Sequence, residues 1–171
     1  PVHTPAPAQQ HAPAFRFVGH AASQTCLRVG FKAPSFFAPE EAPTQLLVRL
    51  MDDGLSTRLY EQICDRRGLC YDVAAVYEAY EDVGLLELAA ESAHERAGEV
   101  LGELLGVVRR LRDEGPSAAE LEKAKRRHAW QLSAILDDPS EVASHFALVE
   151  LNETRQHPAE RDAHPVGAVV Q

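Results

Sequence analysis

Apolar and polar residues alternate from Gln24 to Phe31, with Leu27, Val29 and Phe31 on one face and Cys26 and Arg28 on the other, which predicts a half-buried strand. Lys32-Ala-Pro-Ser, Pro39 and Pro43 end it and lead into a helix over about residues 40–52, with Leu46, Leu47 and Leu50 as its apolar stripe. Gly54 breaks that helix. A shorter one follows, with Ser56 placed to cap it and Leu55 and Tyr60 placed for a hydrophobic staple. It ends at Gly68, after Arg66 and Arg67, whose charges suit the last turn. Gly54 and Gly68 both read as backbone punctuation, where a helix stops or a turn needs positive φ. Residues 70–80 and 83–91 form two β-rich runs around Glu81-Asp82, an antiparallel hairpin.

The period then changes to that of helices. Val100, Leu101, Leu104, Leu105, Val108 and Leu111 recur at i, i+3, i+4 spacing from Glu95 to Arg112, and Gly115-Pro116 stops the run. Gly98, Gly102 and Gly106 line up within it as a small-residue stripe suited to close packing. Ser117-Ala-Ala-Glu120 is a capping box that opens a helix to about Leu136. Asp138-Pro139-Ser-Glu141 supplies a cap, a first-turn proline and an N-terminal carboxylate for another helix to about Asn152. The order β, α, α, β, β, α, α, α implies an α+β fold, an antiparallel sheet with helices packed on one face. Residues 1–14 contain four prolines and read as a flexible Pro/Ala-rich linker, 15–154 as a single α+β domain and 155–171 as a polar tail.

Composition narrows the function classes. With 45% hydrophobic and 25% charged residues the chain is that of a soluble globular protein, cytoplasmic or exported. A net charge of −9 argues against a nucleic-acid partner, and the basic run Lys123–Arg127 reads as a solvated helix face. No apolar run approaches the ~20 residues of a membrane span, and no basic region followed by an apolar stretch marks a signal peptide. Cys26, Cys64 and Cys70 have no metal-ligand spacing; Cys26 and Cys70 lie in apolar strand patterns that suit buried reduced thiols.

Catalytic motifs are lacking. None of the eight histidines has a histidine partner at i+4, so H-x-x-E-H cannot be formed, and His94-Glu95 fails as H-E-x-x-H because position 98 is glycine. His157 and His164 lie in the polar tail without a patterned carboxylate nearby. Nucleophile-elbow and phosphate-loop patterns do not occur either.

The segments Asp53-Gly54-Leu55-Ser56-Thr57-Arg58-Leu59 and Arg67-Gly68-Leu69-Cys70-Tyr71 resemble, without a gap, the second, non-catalytic domain of pitrilysin-type (inverzincin) zinc peptidases, the family that includes mitochondrial processing peptidase. The likeness runs from about Gln24 to Asn152 and is supported by E-G-P-S-A-A-E-L-E-K-A-K from Glu114 and by the Asp138-Pro-Ser helix start. It implies a domain that holds no cofactor itself and binds peptide substrate. A zinc-bearing catalytic domain in the same longer chain, or in a partner subunit, would face it. In that family an Arg and a Tyr seven residues apart reach toward the catalytic zone. Tyr71 matches the Tyr, where its phenol can hydrogen-bond a substrate carbonyl, whereas Cys64 replaces the Arg. Arg66 and Arg67 are turned about 200° and 300° from Cys64 on a helix, which makes either a poor substitute. Local readings stand beside these: Tyr71 as a half-buried core aromatic, Arg58 paired with Glu61 at i+3, and Cys64 packed beside Tyr60 and Ile63. The alternative function is a degenerate structural or assembly subunit that keeps the fold without peptidase activity.

Overall fold

A computed structural model describes residue 10 and residues 12–156. Most of the linker expected at 1–14, nearly all of the tail expected at 155–171, and His157 and His164 lie outside the described residues. In chain order the elements are β1 (Thr25–Ala33), α1 (Glu41–Met51), a short π-helix (Tyr60–Asp65), β2 (Asp72–Ala79), β3 (Gly84–Ser92), a 3-10 turn (His94–Arg96), α2 (Ala97–Glu114), α3 (Ala118–Asp137) and α4 (Pro139–Gln156). The chain divides into two compact units, one ending at Arg126 and the other beginning at Arg127.

In the first unit the three strands form an antiparallel sheet in the order β1-β3-β2. The predicted hairpin is present, closed by the Tyr80 N–H donating to the Val83 carbonyl at 2.8 Å. Strand alternation separates two faces. Leu27, Val29, Phe31 and Ala33 of β1 join Val73, Ala75, Leu86, Leu88 and Ala90 on the inner face. Val100, Leu104, Val107 and Leu111 of α2 cover that face, and Met51, Leu59 and Ile63 fill the space beside them. An α+β domain with helices on one face is therefore observed.

The centre of the α2 stripe differs from expectation. Val107 is fully buried, while Leu105 is 37% exposed, because the helix meets the sheet along the 100-104-107-111 line. The glycine stripe is also corrected. A Cβ built at Gly98 or Gly102 meets nothing, and one at Gly106 meets only the flexible Arg110 side chain, so these glycines provide no close packing. Cys26, expected to be buried, is exposed because it lies on the outer parity of β1.

Close approach does decide one glycine. At Gly84 an added methyl would overlap the Pro34 carbonyl oxygen and lie 3.0 Å from the Tyr77 ring. The same carbonyl accepts a hydrogen bond from the Tyr77 hydroxyl at 2.8 Å, so the β1–α1 connection is pinned against the hairpin.

In the second unit the start of α4 is as predicted, with the Ser140 N–H donating to Asp138 Oδ1 at 2.8 Å. Its helices carry exposed Trp130, Leu132, Leu136 and Phe146.

Two opposite glycine effects follow. Gly84→Ala should lose about 1–3 kcal/mol of stability because the crowding is against backbone. Gly102→Ala, in open space within a helix, should gain about 1 kcal/mol. Urea unfolding of both variants beside the wild type checks the pair of signs.

Candidate functional site

The segment between α1 and β2 is shaped by two left-handed glycines, Gly54 at φ 100° and Gly68 at φ 56°, which L side chains rarely tolerate. Between them the backbone closes as a π-helix: the Arg66 N–H donates to the Glu61 carbonyl at 2.9 Å, and the Leu69 N–H reaches back to Ile63 at 3.0 Å. Ser56 does not cap this helix. The Thr57 hydroxyl instead donates to the Gly54 carbonyl at 2.7 Å, while Ser56 accepts from the Lys123 ammonium of α3, its carbonyl at 3.2 Å. The expected staple is not made either, since Leu55 is 73% exposed.

Arg58 is likewise corrected. It does not pair with Glu61, which takes Arg66 instead. Its guanidinium donates to both oxygens of Glu120, at 2.7 and 2.9 Å, and to the Gly115 carbonyl at 3.0 Å. Glu120 also completes the predicted capping box, accepting from the Ser117 N–H at 2.8 Å while its own N–H donates to the Ser117 hydroxyl at 3.2 Å. Hydrogen bonds from Arg58 hold the Glu120 carboxyl at about 2, with burial opposing and the Ser117 N–H assisting. Arg67 binds the Glu103 and Glu99 carboxylates of α2, the latter at 3.3 Å, and Arg96 donates to the Gly68 carbonyl at 2.9 Å. Arg58 and Arg67 thus dock the short helix onto the α2–α3 junction and α2, while Arg66 pairs with Glu61 of the same helix.

The end of this segment sorts its side chains sharply. Cys70 is buried and Tyr71, the next residue, is 93% exposed. Tyr71 is therefore not a core aromatic. Cys64 is half-buried against the core, with its sulfur 3.4 Å from that of Cys70. Burial raises both thiols, Cys70 to about 12. Where the resemblance expects a positive charge, the chain places two neutral thiols.

Tyr71 immediately precedes β2, whose Asp72, Ala74, Val76 and Glu78 belong to the outer face of the sheet. There the register aligns Cys26–Glu91–Asp72, Arg28–Ala89–Ala74, Gly30–Glu87–Val76 and Lys32–Leu85–Glu78. Small residues occupy the middle, with carboxylates outnumbering cations around them, and Arg28 is ion-paired to Glu87. At the free edge of β2 the Asp52 carboxylate accepts from the Ala75 N–H at 2.9 Å, occupying a donor that an added strand would need. Neither the Asp52 contact nor the Arg58–Glu120 pair has a signal at short sequence spacing, and both escaped the sequence reading. His94 donates from Nε2 to the Ala22 carbonyl at 3.1 Å and bonds Thr25 Oγ1 through Nδ1 at 2.7 Å. Among the described residues, no three His, Cys, Asp or Glu side chains gather as a metal site, and no helix is long and apolar enough to cross a membrane.

The ion pair makes a pH prediction. The folded carboxyl of Glu120 lies below its ordinary value of 4.5, so its stabilisation is full above that value and is lost as pH falls toward about 2. Glu120→Gln should be less stable than wild type by about 1–3 kcal/mol at neutral pH, and the two should converge in acid, as read by urea unfolding.

Comparison with known proteins agrees with this architecture. The family profile described as peptidase M16 inactive domain matches residues 1–127. An uncharacterized zinc protease of Mycobacterium tuberculosis (strain H37Rv) is 28% identical over 141 residues, covering 82% of this chain and 32% of the relative. A protease from Helicobacter pylori superposes with a TM-score of 0.73 at 20% identity, over 81% of this chain and 34% of that one. The peptidase M16 inactive domain from Pseudomonas fluorescens superposes with a TM-score of 0.62 at 25% identity, over 66% of this chain and 27% of that one. The chain spans between a fifth and a third of the length of the curated zinc-protease relatives, 20% of one from Rickettsia felis, 26% of one from Rickettsia bellii and 32% of the mycobacterial protein. On the extent of the profile match, which takes in the whole turn-helix-turn segment and the sheet, this chain belongs to the peptidase M16 inactive-domain family.

Proposed function

We propose that this chain is the substrate-binding half of a two-domain zinc peptidase, facing a metal-bearing catalytic domain. That domain would be supplied by the same longer polypeptide or by a partner subunit. The observation that carries the reading is the 93% exposure of Tyr71 immediately before β2, with its neighbour Cys70 turned into the core. A phenol left in solvent at the entry to β2 can donate to a peptide carbonyl, or to the oxyanion that develops when that carbonyl is attacked. Zinc, bound in the partner domain, would supply the activated water. This chain would contribute the opposing wall.

The wall has a chemical preference. Glu87, Glu91, Asp72 and Glu78 share the outer face with only Arg28 and Lys32, so an extended peptide carrying lysine or arginine is favoured over an acidic one. This selectivity should weaken as salt rises, since exposed charges are screened.

The test pairs the chain with its catalytic domain and measures peptide cleavage. Tyr71→Phe, which removes only the hydroxyl, should lower kcat/KM about tenfold, the equivalent of one lost hydrogen bond. The isolated chain should cleave nothing with or without zinc. Unchanged cleavage by Tyr71→Phe would overturn the role of Tyr71, whereas absence of cleavage by the paired wild-type domains would instead support a degenerate assembly subunit. The neutral Cys64 at the position where the family carries a cation favours that second reading.

A further inference from the structure

We propose that Cys64 and Cys70 are a modification site: a dithiol that closes to an intramolecular disulfide by exchange with low-molecular-weight disulfides of the glutathione class. The two sulfurs already lie 3.4 Å apart, six residues apart in sequence. Bond formation needs them to approach by about 1.4 Å, a movement of side chains rather than of elements. Cys64 sits at the end of the short π-helix and Cys70 just ahead of β2, and the chain between them turns through left-handed Gly68. The turn therefore holds the two thiols face to face.

Exposure assigns the order of events. Cys64 is half-buried and reachable, whereas Cys70 is buried, so Cys64 meets the small disulfide first. Its thiolate attacks one sulfur of the reagent. The reagent's S–S bond breaks, and the departing thiolate takes up the proton that Cys64 released. A mixed disulfide remains on Cys64. Cys70 then gives up its proton and attacks the Cys64 sulfur, the mixed disulfide breaks, and the second small thiol leaves carrying that proton. Two protein thiols are oxidised to one disulfide, and one small disulfide is reduced to two thiols. Burial keeps both thiols protonated, which makes the uncatalysed exchange slow and leaves the reduced pair stable until the surrounding poise becomes oxidising.

The bridge would tie the short helix to the residue that precedes Tyr71. A change in thiol poise is thereby converted into stiffness of the Tyr71 segment. This inference stands apart from the peptidase reading, because it concerns thiol chemistry that can be read without cleavage.

The test equilibrates the full 171-residue chain in glutathione buffers of increasing oxidised fraction, quenches with acid, alkylates and maps the peptides by mass. A Cys64–Cys70 cross-link lacking two hydrogens and reversed by dithiothreitol is the expected product, retained in Cys26→Ser and abolished in Cys64→Ser. If Cys70→Ser fails to fold, the wild-type titration and Cys64→Ser suffice. Amide exchange across residues 65–72 should slow about tenfold in the bridged form. The proposal is overturned if Cys64 stops at the mixed disulfide, if both thiols remain fully alkylatable in the most oxidising buffer, or if oxidation yields only Cys26-linked dimers. Unchanged amide exchange in the bridged form overturns the link to Tyr71.

Discussion

The pairing of Arg58 with Glu120 joins the short helix to the junction of α2 and α3, 62 residues further along the chain. One guanidinium holds both oxygens of a carboxylate on the first turn of α3 and the Gly115 carbonyl that ends α2. The same carboxylate caps α3 through Ser117. Helix capping and tertiary docking thus depend on a single side chain. A planar fork suits this duty, because it can satisfy a carboxylate along one edge and a carbonyl with a remaining N–H. Lys123 adds a second tie from α3 to Ser56, and Arg67 a third from the short helix to α2. The charged residues of the motif mainly hold the short helix in place.

That placement determines what the segment presents. Leu59 and Ile63 enter the core completely, which fixes the rotation of the short helix against α2 and the sheet. With the rotation fixed, Cys64 turns partly inward, Cys70 follows it, and Tyr71 is left in solvent. The π-helical spacing contributes here, because a wider turn shifts each following residue around the axis relative to an α-helix. A cation at position 64 would have to leave the half-buried surface that the thiol occupies. The chain therefore leaves Tyr71 in the open and carries at position 64 a thiol that packs against the core.

Local chemistry is legible at the starts of α3 and α4 and at the turns, though not at the short helix, where neither the Ser56 cap nor the Leu55–Tyr60 staple forms. The capping box at Ser117 and Glu120, the Asp138 cap, the left-handed glycines at 54 and 68 and the hairpin at Glu81-Asp82 all appear as read. Readings that needed a distant partner did worse. Glu61 was the nearest candidate for Arg58 in sequence, but Glu120 offers two oxygens in a more buried setting. The glycines of α2 had the spacing of a packing stripe, yet the helix turns that side away from the sheet.

The sequence by itself determined the α+β class, the order of elements, the caps of α3 and α4, the glycine turns, and the family to which the segment around Tyr71 points. These rest on periodicity and on backbone preferences that act over one or two turns of chain. Tertiary structure alone decided that Tyr71 is exposed, that Cys64 and Cys70 touch, that Asp52 guards the edge of β2 and that Arg58 binds Glu120. Each of those depends on how elements distant in sequence pack as their apolar sides are buried, and burial is a property of the whole packed core.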